Sequence, residues 1–300
     1  MRPAFSVIFF TVTAGMGYGL MFLLMLVQLI NLNVYLSVTQ IFLIVCIALV
    51  FITAGLLSST LHLANPTRAW RAFSRFRTSW LSREGILAVI FYPVVLIYLI
   101  SLWIGKPHWS ITLFISILAI LTLFATGMIY ACLKTIRQWY TPLTPINYVL
   151  LGIMLGGLLF VALLGDIATG FLPFVLSLIA IAASAKLIYY GWLGQPTETS
   201  INTATGFSYA IVRLLEIGHT ADTFVTREFN YSISALQIRI LRSIVFIMGF
   251  ILPAILLGYA SVVSQWLAVI IAYSGILLER WLFFAEARHV VNLYHGLQSV

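Results

Sequence analysis

His62 closes one apolar run of the chain and Glu84 opens the next. Between them stand Arg68, Arg71, Arg75 and Arg77, interleaved with Trp70, Phe73 and Phe76. An acid, an imidazole and several guanidiniums at the mouths of two neighbouring segments suit proton transfer at a lipid-soluble reductant such as a quinol. There a carboxylate would serve as the proton acceptor, and the hydroxyls of the reductant would need hydrogen-bonding partners. Each residue also has a plainer use. A histidine is favoured at a helix C-terminus, and a glutamate at a helix N-terminus, where Ser82 would be the cap. The arginines of an amphipathic loop can simply hold it against anionic headgroups.

Electron carriage by the chain itself finds little support. The five histidines, His62, His108, His219, His289 and His295, fall near segment ends or in loops, and only His62 with His289 could pair across a haem. Cys46 and Cys132 lie far apart in or beside apolar segments, and two thiols cannot supply the four ligands an iron–sulfur cluster takes. No CxxCH, GxGxxG or GxxxxGK[ST] occurs. The chain is therefore expected to bind no cofactor of its own, so that electrons, if it handles them, leave through a partner.

The elements that would position these residues are membrane helices. Of the 300 residues, 62% are hydrophobic and 8% charged, against about 45–50% and 25% in soluble domains. Too few charged side chains exist to coat a soluble globule of this size. A spanning helix needs about 20 apolar residues, and eight such runs are read at about 6–30, 37–62, 84–104, 109–132, 145–165, 171–191, 240–263 and 266–285. The first follows Arg2 and is too long for a signal peptide, with no small-residue cleavage site. The expected fold is an all-α membrane protein of about eight helices in bundles, one polytopic domain over 1–300, with 192–239 as an extramembrane loop.

Eight spans put both termini and the connections 63–83, 133–144 and 192–239 on one face. That face or its edge carries fifteen of the sixteen Lys and Arg residues, Lys106 being the exception, in a chain of net charge +8. The positive-inside rule makes this face cytoplasmic. Gly15 with Gly19, and Gly152 with Gly156, repeat the GxxxG spacing that lets helices pack closely.

His62-Leu63-Ala64-Asn65-Pro66-Thr67-Arg68-Ala69 with Ser82-Arg83-Glu84 resembles the dimethyl sulfoxide reductase anchor subunit family. The resemblance continues through Met128-Ile129-Tyr130 and Trp139-Tyr140-Thr141-Pro142-Leu143-Thr144-Pro145. It extends to Arg213–Thr220 with Arg227-Glu228-Phe229, and to Glu279–His289 in the last helix. The family provides the quinol-oxidising membrane subunits of molybdopterin oxidoreductases.

The resemblance implies a cofactor-free anchor in a bacterial cell membrane. Such an anchor oxidises menaquinol or ubiquinol and passes electrons to an iron–sulfur subunit, which relays them to a molybdopterin catalytic subunit. Carried over by position, Glu84 is the proton-accepting carboxylate, and His62, Arg68 and Tyr130 are the quinol-binding residues. Arg71, Arg75, Arg77 and His219 belong to the partner-docking face. In many complexes of the family that face lies outside the cytoplasm, whereas the charge distribution here favours an inward one.

Two other classes compete. A proton-coupled secondary transporter would show polar or broken helices near mid-membrane, and the middles of these spans are almost uncharged. A purely structural anchor would lack a quinol site. The terminal electron acceptor belongs to the catalytic subunit and is not written in this chain.

Overall fold

The structure is a computed structural model that describes residues 3–30, 36–61, 65–195, 199–207, 210–216, 221, 223, 229, 231, 233–295 and 297–299. It is all-α, with eight helices long and apolar enough to span a bilayer. These are α1 (Phe5–Ile30), α2 (Val38–Thr60), α3 (Trp80–Trp103), α4 (Trp109–Ala131), α5 (Leu143–Leu164), α6 (Leu172–Leu193), α7 (Ala235–Gly258) and α8 (Val262–Ala285). Their number and order agree with the reading of the sequence; the starts of α3, α5, α7 and α8 lie two to five residues earlier than read, and α7 ends five residues earlier.

Capping side chains, not hydropathy, set the starts of α3, α7 and α8, where Ser79, Ser234 and Ser261 accept from the first turn. Ser79 accepts from the Ser82 backbone N–H, so α3 begins at Trp80 and Glu84 lies a full turn inside the helix. Ser82 is thus not the cap; its hydroxyl donates to the Ala72 carbonyl and ties the preceding loop down. α5 begins at Leu143, directly after Pro142. Ser234 and Gln237 form a reciprocal capping box that starts α7 at Ala235. Further along, α7 widens into a π-turn over Ile247–Ile251, next to Pro253.

Packing separates a central set of helices from a lipid-facing set. α1 and α5 are buried along most of their length, while α2, α3, α6 and α7 expose most of theirs. α1 packs on α2, α4 and α5, and α8 packs on α5, α7 and α1. The two GxxxG pairs predicted from sequence meet at the α1–α5 crossing. A Cβ on Gly19 would overlap the Gly152 carbonyl, and one on Gly156 would overlap the Gly19 carbonyl carbon. Small residues are what allow these two backbones to touch, since hydrocarbon offers no hydrophobic force to pull helices together.

α3 is the exception to close packing. It lies along α4 and barely approaches α1 or α2 with its backbone. Long side chains cross the gap instead. The Tyr98 hydroxyl donates to Gln28 Oε1 of α1 at 2.7 Å, the Tyr92 and Thr53 hydroxyls meet at 2.8 Å, and the Phe91 ring meets Tyr18 edge-on at 5.0 Å.

Candidate functional site

The connection before α3 forms a 3-10 helix over Pro66–Arg75 that folds across the start of α3. Besides the Ser82 bond, Arg83 pins it: its Nε donates to the Phe76 carbonyl at 3.1 Å and its Nη2 to the Arg77 carbonyl at 2.8 Å. The same guanidinium lies 4.3 Å from the centroid of the Trp80 ring. Phe73 packs over Gly85, where a Cβ would meet its ring at 3.1 Å. Trp70, Phe73 and Phe76 nevertheless remain largely exposed among the arginines. An amphipathic strap of this kind suits the headgroup layer.

Under the strap lies Glu84, four residues into α3 and so about 6 Å along its axis at 1.5 Å per residue. The residue is 5% exposed. Its Oε1 accepts the hydroxyl of Thr126 on α4, and that hydroxyl also contacts the Thr122 carbonyl one turn back, at 3.0 Å. No cation forms an ion pair with Glu84 among the described residues, where the ion pairs are Lys186–Glu279, Arg280–Glu279 and Arg242–Glu286. Glu84 is therefore the buried carboxylate that burial isolates and one neutral hydroxyl steadies.

The other residues singled out from sequence are not gathered around it. Arg68, Arg71, Arg75 and Arg77 are exposed on or beside the strap. Tyr130 belongs to an aromatic knot, with ring centroids 5.2 Å from Trp139, 5.6 Å from Tyr148, 5.5 Å from Phe283 and 5.4 Å from Phe284. It makes no hydrogen bond to Glu84, although the carboxylate lies within electrostatic reach of both Tyr130 and Tyr148. His62 and His219 lie outside the described residues. His289 packs its ring against Phe229 and accepts the Val291 backbone N–H at 3.0 Å, and burial draws its imidazole below the ordinary histidine value. Among the described residues, no three of His, Cys, Asp and Glu gather in a way that could hold a metal ion.

A second polar centre stands two helices away. Lys186 of α6, Glu279 and Arg280 of α8 are 1%, 0% and 3% exposed. The Lys186 ammonium bonds the Glu279 carboxylate and faces the rings of Tyr189 and Tyr190 at 4.3 and 4.9 Å. Arg280 approaches Glu279 at 3.4 Å and lies 3.7 Å from the Tyr148 ring centroid. Counting at about 1.5 Å per residue from the helix ends, Lys186 lies about 10 Å, Glu279 about 9 Å and Arg280 about 8 Å inside. Opposite charges in two apolar segments were the available signal, because an intramembrane ion is expected to have a partner.

Residues 1–286 match the family described as DMSO reductase anchor subunit (DmsC). The chain belongs to the DMSO reductase anchor subunit family. It is thus a multi-pass membrane anchor of a molybdopterin-type oxidoreductase family, and an anchor implies catalytic and electron-transfer partner subunits. Among curated proteins, a sulfite dehydrogenase subunit of Allochromatium vinosum is 35% identical over 328 residues, covering 100% of each chain. No solved structure matches the anchor significantly. Within the anchor, the Glu84–Thr126 pair under the strap and the Lys186–Glu279–Arg280 cluster are the two buried polar centres that require a role.

Proposed function

We propose that this anchor exchanges electrons and protons with a membrane quinol at Glu84, and that electrons leave through an iron–sulfur subunit docked on the basic face. The observation that carries the reading is the isolation of Glu84. Its buried carboxylate pairs with no cation among the described residues and is held by a single hydroxyl, as a group that must change protonation state requires. Glu279, by contrast, is paired with two cations and so is poorly suited to exchanging a proton.

Oxidation of a quinol to a quinone releases two electrons and two protons. In this mechanism Glu84 takes a hydroxyl proton as general base, Thr126 holds the carboxylate in place, and protons leave in turn toward the basic face beneath the strap. Arg68, exposed on the strap, contributes positive charge at the basic face rather than a bond to the ring oxygen, and His62 is proposed for that bond from its place in the sequence alone. The iron–sulfur clusters and molybdopterin of the partner subunits supply the onward electron transfer and the terminal chemistry. Arg71, Arg75, Arg77 and His219 offer positive charge to the docking partner. The membrane is the bacterial inner membrane, with the basic face and both termini cytoplasmic by the positive-inside rule.

A second direction of flow has its own support. A sulfite dehydrogenase takes electrons from its substrate, and the Allochromatium vinosum relative carries that name. With the flow reversed, Glu84 hands a proton to a quinone being reduced, and the same residues serve.

The test is Glu84→Gln in the assembled complex, which keeps shape and hydrogen bonding but cannot accept a proton. Expected is a loss of quinol-coupled turnover of at least about a hundredfold, within the range for a general base, with assembly intact. Turnover equal to wild type rejects the assignment.

A further inference from the structure

The space between α1 and α3 holds a hydroxyl with nothing to bond. Tyr18 of α1 is 2% exposed, and its oxygen has no hydrogen-bond partner among the described residues. A buried polar atom left unpaired in an apolar layer is costly, commonly about 1–3 kcal/mol. The tyrosine hydroxyls of α3 that reach across to α2 and α1 are paired: Tyr92 with Thr53 and Tyr98 with Gln28. Packing gives no reason for the hydroxyl, since the ring already meets Phe91 edge-on and phenylalanine would keep that contact.

Three surroundings indicate what the hydroxyl is for. Glu84 lies within electrostatic reach of Tyr18. The ring of Phe91 is fully buried beside it, on the α3 face that also carries Glu84 two turns earlier. The backbones of α2 and α3 stand apart here, bridged by side chains rather than by backbone packing. A quinol carries two hydroxyls at opposite ends of a planar ring. It needs two polar partners separated by an apolar slot, one of which must accept a proton.

We propose that Tyr18 is the second anchor of the quinol headgroup, its hydroxyl bonding the ring oxygen opposite to the one that faces Glu84, with Phe91 against the ring. This deepens the assignment of Glu84 and rests on it. The roles divide by chemistry. Glu84 moves the proton, whereas Tyr18 binds and orients, so removal of its hydroxyl weakens binding while leaving the chemical step nearly intact.

The complex in native membranes is titrated with the fluorescent quinol analogue 2-heptyl-4-hydroxyquinoline N-oxide and assayed with reduced decyl-ubiquinone and reduced menadione. Tyr18→Phe is expected to weaken analogue binding and raise the KM for both quinols about three- to tenfold, the worth of one neutral hydrogen bond, with kcat within about twofold of wild type. Wild-type binding and KM in Tyr18→Phe, beside a Glu84→Gln variant that has lost turnover, overturn the role of Tyr18 and leave the role of Glu84 standing. Undiminished turnover in Glu84→Gln removes the reading on which both depend. As a check that needs no variant, photolabelling of the wild-type complex with an azido-quinone should mark the α1 peptide around Tyr18 and the α3 peptide around Phe91. Labelling confined to other helices overturns the slot.

Discussion

Two buried carboxylates of this chain have opposite environments, and the contrast assigns their roles. Glu279 lies between Lys186 and Arg280, an arrangement suited to tying α6 to α8. Breaking such a pair leaves a buried charge uncompensated, which costs about 3–5 kcal/mol, whereas replacing both partners with apolar residues is often close to neutral. Glu279→Gln alone is therefore expected to lower the detergent melting temperature sharply, and Lys186→Met, Glu279→Leu and Arg280→Leu together to recover much of the loss. If the single and triple variants melt together, the cluster is not a structural tie. Thr126→Val removes the one hydroxyl that steadies Glu84. It should lower quinol turnover by about tenfold or more, as expected where a hydrogen bond to a charged group is worth about 1.5–3 kcal/mol, while thermal stability stays near wild type. Sequence alone pointed to Glu84, because an acid facing a long apolar run is conspicuous. It could not point to Thr126 or Tyr18, since threonines and tyrosines are common in membrane helices and only the crossing of α3 with α4 and α1 gives these two a neighbour.

At the scale of the elements, hydropathy located all eight helices but not their caps. The first turn of α3 reads as polar through Ser82 and Arg83, yet Ser79 starts the helix earlier and carries Glu84 inside it. In α7, Arg239 and Arg242 blur the apolar run, although the Ser234–Gln237 box has already begun the helix. Glycine spacing was legible in a different way: the GxxxG pairs of α1 and α5 were visible, while their being each other's partners was not. Because the Gly19 and Gly156 backbones are in contact, a methyl group at either has nowhere to go. Gly156→Ala is expected to cost at least about 1–3 kcal/mol through overpacking, and Gly156→Leu to abolish accumulation of the anchor in the membrane. Gly170→Ala, where an added Cβ meets nothing within 4 Å, is the matched control and should accumulate normally.

On the scale of the whole molecule, charge and architecture converge on one end of the bundle. The strap, the Glu84–Thr126 pair, the aromatic knot and the Lys186–Glu279–Arg280 cluster all belong to the end where α3 and α5 begin and α4, α6 and α8 finish. That end also carries nearly all of the basic residues. On the proposed reading, a partner docked there would receive electrons over the shortest path from Glu84, and protons released beneath the strap would emerge on the same side. Orientation then decides whether the catalytic subunits work inside or outside the cell, and the chain carries its own reporter. Cys132 is exposed at the C-terminal end of α4, on the basic end, while Cys46 is half-buried within the apolar α2. In vesicles stripped of peripheral subunits, a membrane-impermeant maleimide should label Cys132 in inverted vesicles and leave it unlabelled in right-side-out ones, with Cys46 unreactive in both. The opposite pattern would mean that assembly with an exported partner overrides the positive-inside rule, which would place the strap, the docking face and the proton exit on the outer side of the membrane.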